Sequence, residues 1–328
     1  MKKLFTGMVM VVLTVGIVFI ILTTNKPSSE KFIQENFVKD NGKITTFING
    51  DEALTESIGL YMHYLVLSNQ KKEFKQQAAI VRDISQNGFV AWRDHEAHSN
   101  SSVDDLRIMK SLYKASSKWE NQEYRVLADE IKEFIQEKQM ANNIIVDFYD
   151  MKAQEPSKEL RLSYTDAEAI GYFEEEVLGK YVSILQEVNE NVFFPEVYRL
   201  KTKTFKAQQE VNMIDQSLIA LNANLLGVNT NTFFQFVEEE LKNRGKIYGR
   251  YSRNTKSPTV DYESPSAYAL LIIAYLNNDE KEKVQVLFDS MKKLQHNDGG
   301  YKTTADNAHF FDNILPLIAE YRYNHYRE

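Results

Sequence analysis

The chain has 328 residues, 43% of them apolar, with 46 acidic against 39 basic side chains and a net charge of −7. An acidic balance without basic patches excludes a nucleic-acid partner, and the lack of any cysteine excludes disulfides, thiolate metal sites and a cysteine nucleophile. Six scattered histidines, none in a His-x-x-x-His or Glu-x-x-His pair, imply no metal site and no cofactor.

In chain order, Lys2 and Lys3 come first, followed by an uncharged, mostly apolar run over 4–24. A helix of about 20 such residues crosses the hydrocarbon core of a bilayer. The lysines keep residues 1–3 cytoplasmic, so the remainder is expected outside. The run ends in Ile20-Ile21-Leu22-Thr23-Thr24 and no lipobox cysteine follows. That ending favours an uncleaved, single-pass signal anchor over a cleaved signal peptide with small residues at its cleavage site. Residues 25–30 form a polar linker, and 31–328 form one extracytoplasmic domain at the cell surface, since no Gly/Ser/Pro-rich stretch divides them.

Helical periodicity predicts a first helix over 28–38. Pairs follow over 56–68 and 74–86, 104–118 and 121–139, 166–173 and 175–188, 211–226 and 230–243, and 265–276 and 280–294, before a last helix over 306–321. These twelve segments make six hairpins. Breaks inside the pairs are short, whereas the loops between pairs are long and aromatic, which marks them as functional. Within those loops, 144–149 with 159–164 and 247–251 with 260–262 read as small β-hairpins on one face. The expected fold is therefore all-α, an (α/α)6 toroid carrying short β-hairpins in its loops.

An acidic residue returns every 43 to 61 positions where a helix begins: Glu56, Asp105, Asp166, Asp215, Glu263 and Asp306. A period of this length is one helical hairpin. Each acid taken singly is best read as a helix cap, because free N–H groups and the helix dipole favour negative charge there. Six acids on a common aromatic rim suit carbohydrate as a set. Sugar rings stack on aromatic faces, and paired carboxyls can serve as the acid and base of glycosidic cleavage. Crowding of carboxylates raises the pKa of one member, so that an acid and a base coexist near neutrality. There is no nucleophile elbow, dinucleotide turn or Walker loop. The triplets at 174–176 and 238–240 read as solvated helix faces, and His95 and His98 as surface residues of a polar loop. Tyr61 and Tyr64 either line the cavity or pack in the core.

The stretch Thr55-Glu56-Ser57-Ile58-Gly59-Leu60-Tyr61-Met62 resembles the Ser-Glu-Gly-x-x-Tyr-Gly-Met segment of glycoside hydrolase family 8. These are inverting bacterial cellulases, chitosanases, xylanases and lichenases on an (α/α)6 barrel. The family's Gly-x-x-Ala-Trp-Arg loop is matched by Gly88-Phe89-Val90-Ala91-Trp92-Arg93. Its Ala-Ser/Thr-Asp-Ala/Gly-Asp-x-x-Ile signature is echoed by Ser101-Ser102-Val103-Asp104-Asp105-Leu106-Arg107-Ile108. The resemblance gives Glu56 the role of general acid and Asp105 or Asp104 that of orienting the sugar before the cut. The family's Tyr-Asp-x-x-Arg base segment is approached by Tyr262-Glu263-Ser264-Pro265-Ser266, with Glu for Asp and Ser266 for Arg. Asp215, at the neighbouring hairpin, is an equally good physical candidate for the base. Trp92, Arg93, Asp104, Tyr61, Tyr164 and Tyr262 are the candidates for holding substrate.

These departures suggest a divergent branch similar to membrane-anchored hydrolases that accompany exopolysaccharide synthesis, with a synthase complex as an expected partner. The function so implied is inverting, endo-acting hydrolysis of a surface polysaccharide. The alternative is a non-catalytic glycan-binding barrel in the same machinery.

Overall fold

The computed structural model describes residues 28–93, 98–302, 304 and 307–326. The apolar run over 4–24, His95 and Asp306 lie outside the described residues. Among those described there are twelve α-helices: α1 Ser29–Asn36, α2 Thr55–Leu67, α3 Lys71–Ile84, α4 Ser102–Trp119, α5 Gln122–Lys138, α6 Ala167–Ile170, α7 Glu175–Gln186, α8 Met213–Leu225, α9 Asn231–Arg244, α10 Pro265–Asn277, α11 Lys281–Lys293 and α12 Phe311–Tyr326. No helix among them is long and apolar enough to cross a membrane.

Even- and odd-numbered helices differ in how much of their circumference is apolar. In α10 every residue from Ser266 to Leu276 is buried, which is the signature of a helix with neighbours all round. In α3 burial is confined to Phe74, Gln77, Ala78 and Val81, a single stripe spaced by three and four residues. Such a helix covers a core on one side and meets water on the other. The contacts follow this division. The even helices close a ring in which α2 packs on α4, α4 on α6, α6 on α8, α8 on α10, α10 on α12 and α12 back on α2. Around it lie α1 on α12, α3 on α2, α5 on α4, α7 on α6 and α11 on α10. The last outer helix, α9, sets Phe234 against Tyr275 of α10 with ring centroids 5.0 Å apart.

Four of the short connections within a pair turn through one left-handed residue. These are Asn69 between α2 and α3, Glu120 between α4 and α5, Gly227 between α8 and α9, and Asp279 between α10 and α11. A left-handed residue just past a helix end satisfies its last carbonyls and sends the chain back. Four of the six inner helices are followed by so tight a reversal, and the alternation of inner and outer helices round the ring sends the inner ones in one direction. Their N-termini, and the long loops feeding them, therefore share one end of the barrel.

Several elements depart from the expected bounds. The helix over 166–173 shrinks to the single turn of α6. The last helix starts at Phe311 rather than 306, because Phe310 donates its N–H to the Thr46 carbonyl at 2.8 Å and Phe47 bridges to His309. That pairing holds 307–310 extended. The β-hairpins also pair differently. Ile144–Ile145 pairs with Met140–Ala141, Glu159–Arg161 with Val197–Arg199, and Arg250–Ser252 with Glu210–Asn212. The first of these is a two-residue hairpin through Asn142 and Asn143, both left-handed, as a type I′ turn requires. The other two join loops distant in sequence.

Another such turn, Asn87-Gly88, links Ser85–Gln86 to Phe89–Val90. Gly88 has φ +82, and a Cβ there would lie 2.1 Å from the Glu130 carbonyl oxygen of α5. Gly88→Ala should therefore cost about 2 kcal/mol or more, read as a lower denaturation midpoint.

Candidate active site

At the end where the inner helices begin, a cavity of about 650 Å³ opens among α2, α4, α8 and the loops before them. It is lined by Glu56 from α2, Asp104 and Arg107 from α4, Asp215 from α8, and Asp147, Asp150, Arg161, Ser163 and Tyr164 from the loops. Trp92, Phe148 and Phe311 add aromatic wall, and Phe148 is exposed.

Gly59 sets the spacing of α2 and α4, since a Cβ at that position would lie only 3.0 Å from Cβ of Arg107. This close approach brings the Arg107 guanidinium beneath the acids. Its Nη1 is 3.3 Å from Asp104 Oδ1 and 4.0 Å from Glu56 Oε2. Asp104 Oδ2 also accepts from the Thr55 hydroxyl at 3.4 Å. Burial raises the Glu56 pKa to about 7, helped by the neighbouring negative charges of Asp104 and Asp312 and opposed by Arg107. Burial also raises Asp215, but its polar neighbours all act the other way. The Ser163 hydroxyl bonds its carboxylate, and Arg161 and Arg250 favour its charge. One carboxyl thus holds its proton near neutrality by burial beside other acids, while the second faces hydroxyl and guanidinium groups. That is the division an acid and a base require.

Among the described members of the acid series, capping accounts for one. Asp166 caps α6, accepting from the Ala169 N–H at 3.0 Å. The N-cap of α2 is Leu54, that of α4 is Ser101 and that of α8 is Asn212. Glu56, Asp104 and Asp215 lie inside the first turn of their helices and turn their carboxylates into the cavity.

Several expected residues lie elsewhere. Asp105 is fully buried behind Asp104, with Oδ2 accepting from Asn100 Nδ2 at 2.5 Å and Oδ1 without a hydrogen-bond partner among the described residues. Of the two adjacent aspartates it is Asp104 that faces the cavity. Glu263 precedes Ser264, the N-cap of α10, and accepts from the Tyr268 hydroxyl at 2.6 Å, outside the lining. Tyr61 is a core residue, 1% exposed, packed edge-on to Phe310 and bonded to Gln34. Arg93 stacks over the Trp92 ring at 4.7 Å and pairs with Glu52 at 3.9 Å, so it supports the wall rather than forming it. Tyr262 is exposed, covers Gly249 and accepts from Arg250 Nε at 3.3 Å, beside the cavity and outside its lining. Trp92 and Tyr164 do line the cavity.

Sequence reasoning gave no role to Arg107, Asp147, Asp150, Arg161 or Asp312. Arg107 had a usable signal, since a residue three after Asp104 shares its helix face. Arg161 had none, because its place depends on the pairing of Glu159–Arg161 with Val197–Arg199. Among the described residues no group of three His, Asp or Glu side chains is arranged to hold a metal ion.

No family model matches the chain. It is 33% identical over 312 residues to the Bacillus subtilis (strain 168) protein named "Putative lipoprotein YdaJ", spanning 89% of this chain and 85% of that protein. Among solved structures it is similar to PssZ from Listeria monocytogenes, with 32% identity and a TM-score of 0.80 over 90% of this chain and 94% of that one. A structure described as a novel alpha-amylase from Clostridium perfringens superposes with a TM-score of 0.84 at 24% identity, over 90% and 97% of the two chains. The endoglucanase Cel10 from Klebsiella pneumoniae, a family 8 glycosyl hydrolase, gives 0.65 at 15% identity over 92% and 99%. The last two likenesses show a shared fold.

Proposed function

The chain belongs to the family of YdaJ and PssZ, on the fold of glycoside hydrolase family 8, and from that membership we propose a membrane-tethered hydrolase that cuts an extracytoplasmic polysaccharide within its chain, with inversion. The observation that carries this reading is the meeting of Glu56 and Asp215 in one aromatic-walled cavity, with Glu56 raised to about 7. Protonated Glu56 would give its proton to the leaving glycosidic oxygen as the bond to the anomeric carbon breaks. Asp215 would take a proton from a water attacking that carbon from the opposite face. The products are a new reducing end of inverted configuration and a new free hydroxyl. Inverting enzymes hold the two carboxyls about 6.5–9.5 Å apart to make room for this water. Asp104, kept in place by Arg107 and Thr55, would accept from a sugar hydroxyl beside the cut, with Trp92 and Tyr164 against the ring faces.

The tether is assigned to residues 4–24. YdaJ is named as a lipoprotein, but a thiol-linked lipid needs a cysteine and this sequence has none. The uncharged apolar run would serve the same purpose, keeping the domain on the outer face of the membrane. The structures sharing this fold are described as an α-amylase and an endoglucanase. The proposal therefore names glycan hydrolysis without a linkage.

The test is incubation of the full chain with extracted surface polysaccharide. Falling polymer length by size-exclusion chromatography, with new reducing ends of inverted anomeric configuration by NMR, is the expected result. Measurable binding with unchanged length would instead select a non-catalytic glycan-binding barrel.

A further inference from the structure

The six inner helices enclose a second cavity, of about 260 Å³, behind the first. Leu67, Leu225, Asn277 and Arg322, at the far turns of their helices, are in its lining, so it reaches the opposite end of the barrel from Glu56. Arg107 and Leu218 line both cavities, which are thus separated by a single layer of side chains. The single-turn α6 contributes Asp166, its N-cap, and Glu168 to the lining.

Charged groups occupy one side of this cavity and are unequal in number. Lys110 lies 2.6 Å from Asp166 and 3.4 Å from Glu168, and Lys114 lies 2.8 Å from Glu168. Two carboxylates thus answer two lysines, and Arg107, the third cation in the wall, pairs with Asp104 at 3.3 Å. Arg322 is left over. It donates to Asn277 Oδ1 at 2.7 Å, and among the described residues no carboxylate lies within 4.0 Å of it. The His63 ring also lines the space without a hydrogen-bond partner among the described residues, and burial beside the lysines keeps it uncharged. Burial disfavours the Arg322 charge and Glu168 supports it only from beyond ion-pair distance, so an anion bound beside the guanidinium would be stabilising. The remaining wall is aliphatic: Leu60, Leu221, Leu270, Ile273, Leu315 and Ile318.

We propose that this axial cavity binds a small aliphatic monocarboxylate, its carboxylate forked onto Arg322 and its hydrocarbon tail along the leucine and isoleucine wall. One positive charge with no carboxylate within ion-pair distance among the described residues matches one negative charge. The planar guanidinium matches a carboxylate in shape. The aliphatic wall disfavours a multiply charged ion such as phosphate, whose desolvation it could not repay. The site is separate from the glycan cavity and does not depend on how that cavity is used.

The experiment is thermal unfolding of the full chain with hexanoate, 1-hexanol or inorganic phosphate. A ligand that binds only the folded state raises the midpoint with its concentration, and hexanoate alone is expected to do so. Arg322→Gln should weaken hexanoate by about tenfold or more, the usual size of one lost charged hydrogen bond, and Arg322→Lys should restore part of the loss. Leu221→Phe, which fills the tail's space and touches no charge, should abolish the shift. Equal shifts with hexanoate and hexanol, a matching shift with phosphate, or an Arg322→Gln protein that binds hexanoate as wild type does would each overturn the proposal.

Discussion

Glu56→Gln should lower glycan turnover by about 10²–10⁴-fold while leaving glycan binding nearly unchanged, because it removes a proton donor and keeps the shape of the side chain. The same variant should alter the pH profile. A general acid works only while protonated, so the wild-type rate should fall as pH rises through about 7, where Glu56 ionises. In Glu56→Gln the residual rate should lose that limb. Stability supplies a check that does not depend on substrate. The folded-state pKa of Glu56 is raised from 4.5 to about 7. The stability linked to this group is therefore complete below about 4.5 and is lost as pH rises through about 7. A glutamine has no such loss, so the variant should melt above wild type at pH 8 and level with it at pH 4. The gain should be about 1–2 kcal/mol, below the full value of the shift because the Glu56 side chain is 30% exposed. Unaltered turnover in Glu56→Gln would end the assignment of the acid.

Asp215→Asn should cost turnover on the same scale, about 10²–10⁴-fold, by leaving water without a proton acceptor. Azide attacks without surrendering a proton, so it should restore part of the rate in Asp215→Asn and none in Glu56→Gln. Glu263→Gln serves as the contrast. Its carboxylate is held by the Tyr268 hydroxyl outside the cavity, and its loss should leave the rate within about twofold of wild type. If Glu263→Gln were the inactive variant and Asp215→Asn the active one, the base would have to be reassigned.

These two residues show why part of the site could be read from the sequence and part could not. Helix number and order were legible, because buried stripes recur every three to four residues whatever the partner. A lone acid near a helix start was legible for the same reason. The choice between Asp104 and Asp105 was not. Adjacent residues on a helix point about 100° apart, and Thr55 and Arg107, brought close by Gly59, determine which of the two faces the cavity. Glu263 and Asp215 were equivalent as letters. The difference is that Glu263 precedes its N-cap while Asp215 lies inside the first turn. Strand pairing was the least legible. Segments of two or three residues carry too little pattern to specify a partner, and two of the pairings join distant loops. The left-handed Asn142-Asn143 turn was a local signal that was available and went unused.

The closing helix of the ring has a consequence for biogenesis. α12 packs on α10, α2 and α1, and its Glu320 accepts from Ser29 Oγ at 2.9 Å, across nearly the whole length of the sequence. A polypeptide made from its N-terminus exposes the apolar flanks of α2 and α10 until this final segment has emerged. No product that ends before α12 has the whole wall of the candidate active site, since Phe311 is part of it. Completion of the chain must therefore outrun aggregation, and a chain that stops short of α12 leaves those flanks without their partner.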